Sequence, residues 1–273
     1  MAKATAKADT ARPAPTLQVG AILERTIRLW ARHFGACAGA TAVLYSPLVY
    51  AAWMRSEDIV VAAWAFWAGL IAVLFASAFL SAGVVRSLQG DRASFPGSFL
   101  VALKRLPALV WVAVLLVGMT FLSMLPGLLA MGFVAQSMAL DLKDAEQATW
   151  LLLFTPLLLV LPVLALVQTA VVMPVATIEG RGGMSAVWRS HRLTKGNRWR
   201  VFVVFFALLM LHFLVQTGLY ELLPDGPAGP WLLLGHTILV TTGLLAVASA
   251  VVYEDLRVAK DGTDPETLGR VFE

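Results

Sequence analysis

Charge is missing from most of this chain. No Asp, Glu, Lys or Arg occurs in 59–85, 106–140, 149–178, 201–220 or 231–253, nor between His33 and Arg55. A hydrocarbon core of about 30 Å is crossed by roughly 20 apolar residues in a helix, so each window is long enough to span it. The chain therefore reads as a polytopic membrane protein with most of its residues in lipid. Cysteine is nearly absent as well. Cys37 stands alone within the first span, which excludes an intramolecular disulfide and a cysteine-rich metal site and leaves buried packing as its expected role. Residues 1–16, rich in Ala, Lys, Thr and Pro, lack the apolar core of a signal peptide and hold too little apolar surface to fold. A disordered cytoplasmic tail is expected there, followed by a single membrane domain over 17–273.

Catalytic motifs are also lacking. The sequence contains no His-Glu-x-x-His, no Gly-x-Ser-x-Gly nucleophile turn and no Gly-x4-Gly-Lys-Ser/Thr phosphate loop. No acid lies within the spans to support intramembrane hydrolysis, so the chain is expected to be non-enzymatic and to need neither metal nor cofactor. A mid-membrane carboxylate costs at least about 2.5–3.5 kcal/mol on insertion scales and for that reason marks ion-coupled carriers. Its absence argues against proton or sodium coupling and leaves passive movement of lipid open.

The charges that are present fall on one side. With spans near 34–54, 59–85, 106–135, 149–178, 201–222 and 231–253, one face carries 19 of the 21 Lys and Arg against 10 acids, and the other carries 2 against 7. Basic residues flanking spans are retained in the cytoplasm, so six helical spans with both termini inside satisfy this split. Continuous apolar windows, without the alternation of a lumen-facing strand, favour helices over a barrel. Trp53, Trp150 and Trp231 fall at outer boundaries and Trp30, Trp188 and Trp199 at inner ones. The third and fourth windows exceed the needed length and contain Pro126-Gly127, Pro156 and Pro162, so tilt, a kink, or a bend onto the outer surface after Pro126 all fit them.

Amphipathic segments precede three of the spans. Val19, Ile22, Leu23, Ile27 and Trp30 share one helical face, with Arg25, Arg28 and Arg32 on another. Phe95, Phe99, Leu100 and Leu103 precede Lys104-Arg105 in the same manner, and Met184, Val187 and Trp188 oppose Arg189 and Arg192. The fold expected is all-α, with three pseudo-repeated hairpins each preceded by a cytoplasmic interfacial helix. Each even-numbered span leaves into a polar glycine turn, at Gln89-Gly90-Asp91, Glu179-Gly180-Arg181 and Lys260-Asp261-Gly262. Thr263 and Glu266 have capping-box spacing, with Pro265 suited to a first helical turn, and predict a short carboxy-terminal helix.

Two stretches carry a resemblance. Pro174-Val175-Ala176-Thr177-Ile178-Glu179-Gly180 and Arg189-Ser190-His191-Arg192-Leu193-Thr194-Lys195-Gly196-Asn197-Arg198-Trp199 resemble the central signature of a bacterial six-span family. That family is named after the membrane domain of some glycerophosphoryl diester phosphodiesterases. Tyr253-Glu254-Asp255-Leu256-Arg257 resembles its closing motif, and Ile22-Leu23-Glu24-Arg25-Thr26 with His33-Phe34-Gly35 its opening one. The resemblance implies a bacterial inner-membrane location. The catalytic domain behind the family name is a barrel of roughly 200 or more further residues, for which these 273 leave no room.

Two constellations are candidate sites. Glu179 is the only acid among six basic residues in 179–200, which predicts an ion pair with Arg181, Arg189, Lys195 or Arg25. A cytoplasmic clamp, or a set of headgroup contacts, is expected from Arg25, Arg28, Glu179, Arg189, Arg192, Lys195, Asp255 and Arg257. Within the membrane, His212 and Gln216 share a helical face, and His236 reaches similar depth if 223–230 turns the last two spans antiparallel. That cluster reads as packing or as a polar pocket for a headgroup. The expected partners are membrane lipids, anionic phospholipids among them, and a membrane or cytoplasmic protein. Nucleic acid is not expected, because the basic residues border lipid. A scaffold or accessory protein at the inner leaflet is the leading expectation. A transporter or flippase of a lipid or amphiphile is the alternative, and a regulatory domain for a separate phosphodiesterase comes third.

Overall fold

The computed structural model describes residues 17–53, 59–89, 95–137, 159–223 and 228–261, and all regular structure in them is helical. In chain order these are α1 (Val19–Arg32), α2 (Phe34–Trp53), α3 (Ile59–Leu88), α4 (Phe95–Ser137), α5 (159–169), α6 (Val172–Ile178), α7 (Met184–Thr194), α8 (Arg198–Leu222), α9 (Ala228–Ile238), a π-helical turn over Leu239–Leu244, and α10 (Leu245–Asp261). Among the described residues five stretches are long and apolar enough to cross a membrane: Trp67–Leu88, Gly97–Ala130, Leu159–Ile178, Arg198–Leu222 and Gly235–Asp261. The expected first span falls on α2, 20 uncharged residues rising about 30 Å, and is not one of these five stretches. The tail 1–16, the Thr263 capping box, and the start of the expected fourth span lie outside the described residues.

The core is built where α3, α6 and α10 meet. Ala76, Ala78, Ala82 and Val85 on α3 are fully or almost fully buried, as are Val175 and Ala176 on α6 and Val247, Ala248, Ala250 and Val251 on α10. Small side chains let these backbones approach closely, the arrangement that membrane helices use where apolar burial gives no advantage over lipid. The outward faces of α4 and α8 carry exposed Phe121, Leu122, Phe133, Phe213 and Leu214, as helices bordered by lipid do.

α1 is a separate helix, ended at His33 before α2 begins. Its buried stripe is Ile22 and Thr26, with Leu29 and Trp30 partly buried, and Ile27 is exposed rather than part of the inward face. α1 lies against α10 and α8, so it is seated on the bundle rather than on lipid alone. On α7 the inward stripe is Ala186, Val187, Ser190, Leu193 and Thr194, while Met184 and Trp188 point outward, contrary to the expected face.

The second interfacial segment is not separate. Phe95–Ser137 forms one helix of 43 residues, about 65 Å long, that continues through Pro107 and Pro126. α7 and α8 are parted by Lys195-Gly196-Asn197, where Gly196 takes φ +88°. No glycine occurs between Phe99 and Trp111, so nothing there supplies a left-handed turn and the surface segment fuses with the span. The stretch from Pro126 to Ser137 is likewise part of α4 and not a helix bent onto the outer surface. α10 runs to Asp261, and Gly262 of the third expected turn lies outside the described residues.

Ala170 and Val171 interrupt the fourth window between α5 and α6. Pro174 has no N–H to give the Ala170 carbonyl, and its ring crowds that oxygen. Ser249 of α10 donates to the freed carbonyl at 2.6 Å. The Gln168 carbonyl, also left open by the break, accepts Ser190 Oγ at 2.9 Å. Hydroxyls from two neighbouring helices thus satisfy the broken ladder, as lipid-embedded backbone requires.

Candidate functional site

The charged end of the bundle is organised around Glu179, the residue just past α6. Gly180 and Gly183 both have positive φ, +68° and +58°, and turn the chain back so that α7 returns beneath α6. Arg189 Nε then donates to both Glu179 oxygens at 3.0 and 3.1 Å, Arg181 Nε lies 2.8 Å away, and Tyr253 Oη donates at 3.2 Å. The Glu179 and Arg189 side chains are only 17% and 15% exposed, so this pair is shielded from most solvent screening. The Arg189 guanidinium also bridges to Asp261 at the end of α10. The bond to Asp261, with the bonds and charge of Glu179, raises the Arg189 pKa further against the opposing effect of its burial.

A second tie joins α1 to α10. Arg25 Nη1 donates to Asp255 Oδ1 at 2.6 Å. Glu254 on the same turn is 3.6 Å from Arg257 and accepts Gln89 Nε2 of the α3 terminus at 3.4 Å. Lys260 Nζ donates to the carbonyls of Arg192 and Lys195 at 2.9 and 2.6 Å, a cation placed at the negative end of α7. α10 is therefore the common partner: its last two turns hold α1, α3, α7 and the loop after α6.

The expected site residues divide accordingly. Arg25, Glu179, Arg189, Asp255 and Arg257 enter this network. Among the described residues Arg28 pairs only with Glu24 one turn back, and Arg192 and Lys195 contribute backbone carbonyls while their side chains have no acid partner. Asp261, Glu254, Tyr253, Gln89 and Lys260 also belong to the network, although the sequence marks them as turn or motif residues and not as clamp residues. Had the helix been extended past 253, the i, i+3, i+7 spacing of Glu254, Arg257 and Asp261 would have exposed them.

His191 links α7 to the broken span. Its Nδ1 is 3.0 Å from Gln168 Oε1 and its Nε2 is 3.1 Å from Arg198 Nη2. Guanidinium and carboxamide oxygen fix the roles: Nδ1–H donates to Gln168 and Nε2 accepts from Arg198, which requires the neutral ring. Burial, then Arg198 and Lys195, lower its pKa, in keeping with that tautomer.

The intramembrane residues also meet. The Gln216 and His236 side chains bond at 2.8 Å from Oε1 to Nδ1, Thr237 Oγ1 donates to the same oxygen at 3.3 Å, and the His212 and His236 rings stack at 5.1 Å. The Gln216 carboxamide oxygen fastens α8 to α9, while His212 Nδ1 is buried with no hydrogen-bond partner among the described residues. Among the described residues no group of three or more His, Cys, Asp or Glu is placed to hold a metal ion.

All five described acids at this end, Glu24, Glu179, Glu254, Asp255 and Asp261, are within 4 Å of a basic residue. Arg32, Arg86, Lys104, Arg105, Arg192, Lys195 and Arg200 have no such acid among the described residues, nor do Arg198 and Lys260, which bond His191 and backbone carbonyls. Trp188 and Trp199 stand exposed beside them at 62% and 73%. What the site offers chemically is therefore a rigid internal lattice of ion pairs surrounded by unbalanced positive charge. Compared with family models, curated proteins and solved structures, the chain matches none.

Proposed function

We propose that this chain is a non-enzymatic protein of six spans in a bacterial inner membrane, with both termini in the cytoplasm. It binds anionic phospholipids at the inner leaflet and serves there as a scaffold or accessory for lipids or a protein partner. The supporting observation is that each described acid at the basic end already has a cation, while nine further described cations have no acid within 4 Å among the described residues. By sequence this face carries 19 Lys and Arg against 10 acids, so positive charge is left over for anions from outside the chain, and phospholipid phosphates are the anions found at that depth. Each basic residue near the surface is worth about 1 kcal/mol toward anionic lipid. Exposed Trp188 and Trp199 fit the same interface.

Melting in lipid nanodiscs tests the reading. Phosphatidylglycerol in place of phosphatidylcholine is expected to raise the melting temperature, with an increment that shrinks as salt is added. Identical melting in both lipids would count against it. The interrupted fourth window favours a second reading, lipid transport, because transporters use discontinuous helices. Ser249 and Ser190 already take the Ala170 and Gln168 carbonyls, which leaves those groups less available to a cargo.

A further inference from the structure

We propose that Lys104 and Arg105 of α4, with Arg181 of the loop before α7, form a discrete site for one phosphate group, that of an anionic phospholipid. The inference rests on the lipid-binding reading above and narrows it to one place. Arg105 is held in a position that no acid among the described residues explains. Its guanidinium lies flat on Gly180: a Cβ built there would sit 2.4 Å from Nη2, 2.8 Å from Cζ and 3.0 Å from Nη1. Only glycine admits that approach, and Gly180 is also a position of φ +68°, so the loop conformation and the arginine seat depend on the same residue.

The neighbouring contacts continue the seat along α4. A Cβ at Gly182 would meet Ala108 Cβ at 3.4 Å, and one at Gly183 would meet the Trp111 ring at 2.7 Å. The loop is thereby laid against successive turns of α4, and Arg181 is carried next to the residue on which Arg105 rests. Arg181 is 46% exposed and shares Glu179 with Arg189. Glu179 already receives Arg181, Arg189 and Tyr253, so it supplies little charge for another cation. Arg105 and Lys104 have no acid within 4 Å among the described residues. The Arg105 guanidinium thus rests on Gly180, next in the chain to Arg181, and Lys104 precedes Arg105 on α4. A phosphate, which accepts from two arginine forks at once, completes such a cluster.

The surface below the cluster suits acyl chains. Lys104, Trp111, Leu115 and Leu122 recur at i, i+7, i+11 and i+18 on one side of α4, with Trp111 and Leu122 exposed at 58% and 69%. A phosphate at Lys104 and Arg105 therefore sits at the head of an apolar stripe that runs into the membrane. Free inorganic phosphate has the same headgroup chemistry but gains nothing from that stripe.

Native mass spectrometry of the full chain released from mixed phosphatidylglycerol and phosphatidylcholine nanodiscs reads the site directly. Wild type is expected to keep one phosphatidylglycerol under activation that strips the others. Arg105→Gln is expected to weaken that last lipid about fivefold, the effect of one interfacial charge, and Arg200→Gln, which removes an equally unpaired arginine elsewhere, is expected to leave it unchanged. Arg105→Lys keeps the charge without the fork and provides a second variant should Arg105→Gln fail to fold; it is expected to retain the lipid less well than wild type. Millimolar inorganic phosphate is expected not to displace it; displacement would show that the cluster selects free phosphate and overturn the lipid assignment. Equal loss in Arg105→Gln and Arg200→Gln would overturn the discrete site while leaving general anionic binding intact. No phosphatidylglycerol preference in wild type would instead refute the broader functional reading.

Discussion

Replacing Glu179 with Gln isolates the charge at the centre of the inner lattice. Glutamine keeps the size and one acceptor oxygen, so the perturbation is the loss of one negative charge facing Arg181, Arg189 and Tyr253. A hydrogen bond to a charged group contributes about 1.5–3 kcal/mol, and an exposed ion pair about 0–1 kcal/mol. The Arg189 bond belongs to the first class and the half-exposed Arg181 bond to the second, while Asp261 continues to hold Arg189 and moderates the loss. The net cost is about 2 kcal/mol, which for a chain of this size lowers the melting temperature by about 4–8 °C. Intrinsic tryptophan fluorescence during heating in detergent reads the shift. A double-mutant cycle with Arg189→Met assigns it to the pair, with an expected coupling of about 1–2 kcal/mol. A shift within about 1 °C, or strict additivity in the cycle, would refute the assignment of Glu179 as the central fastening.

Further consequences follow from the same geometry. Ser249→Ala leaves the Ala170 carbonyl without a donor and is expected to cost about 1–3 kcal/mol; adding Pro174→Ala restores an N–H four residues on, so the double variant is expected to melt above Ser249→Ala alone. Gly183→Ala presses a Cβ against the Trp111 ring at a positive φ, whereas at Gly180 the obstacle is the end of a flexible arginine, so Gly183→Ala is expected to melt lower than Gly180→Ala. His191 is neutral in the fold with its pKa lowered, so the unfolded chain binds more protons below its ordinary value of about 6.5. Stability is therefore complete above that pH and is lost as the pH falls through it; His191→Gln should flatten melting temperature between about pH 5 and 7, and an unchanged slope would count against this tautomer. Gln216→Leu strands His236 Nδ1, while Thr237 keeps the Leu233 carbonyl, and is expected to cost about 1 kcal/mol, measurable as a small fall in melting temperature.

Charge depletion makes the apolar helices legible from composition alone, because lipid accepts few other segments. The start of α1 and the separateness of α7 are readable too, from amphipathic spacing beside a turn. Periodicity could not reveal that 95–105 is continuous with its span, since that depends on the missing glycine rather than on which face is apolar. It also misplaced Ile27, Met184 and Trp188: an apolar face toward lipid and one toward neighbouring helices look alike in sequence. Glu179 stood out as a lone acid, yet the choice of Arg189 over Lys195 or Arg25 is made by the turns at Gly180 and Gly183. Asp261 reads as a turn residue in the sequence, whereas it ends α10 and so reaches Arg189.

The central claim is that the uncompensated cations at the basic end take their counter-charge from anionic phospholipid. Native mass spectrometry of the wild-type chain from nanodiscs with equal phosphatidylglycerol and phosphatidylcholine measures this most directly. Retained lipid enriched in phosphatidylglycerol well above the bilayer ratio is the predicted result. Retention at the bulk ratio, unchanged by salt, would contradict the account.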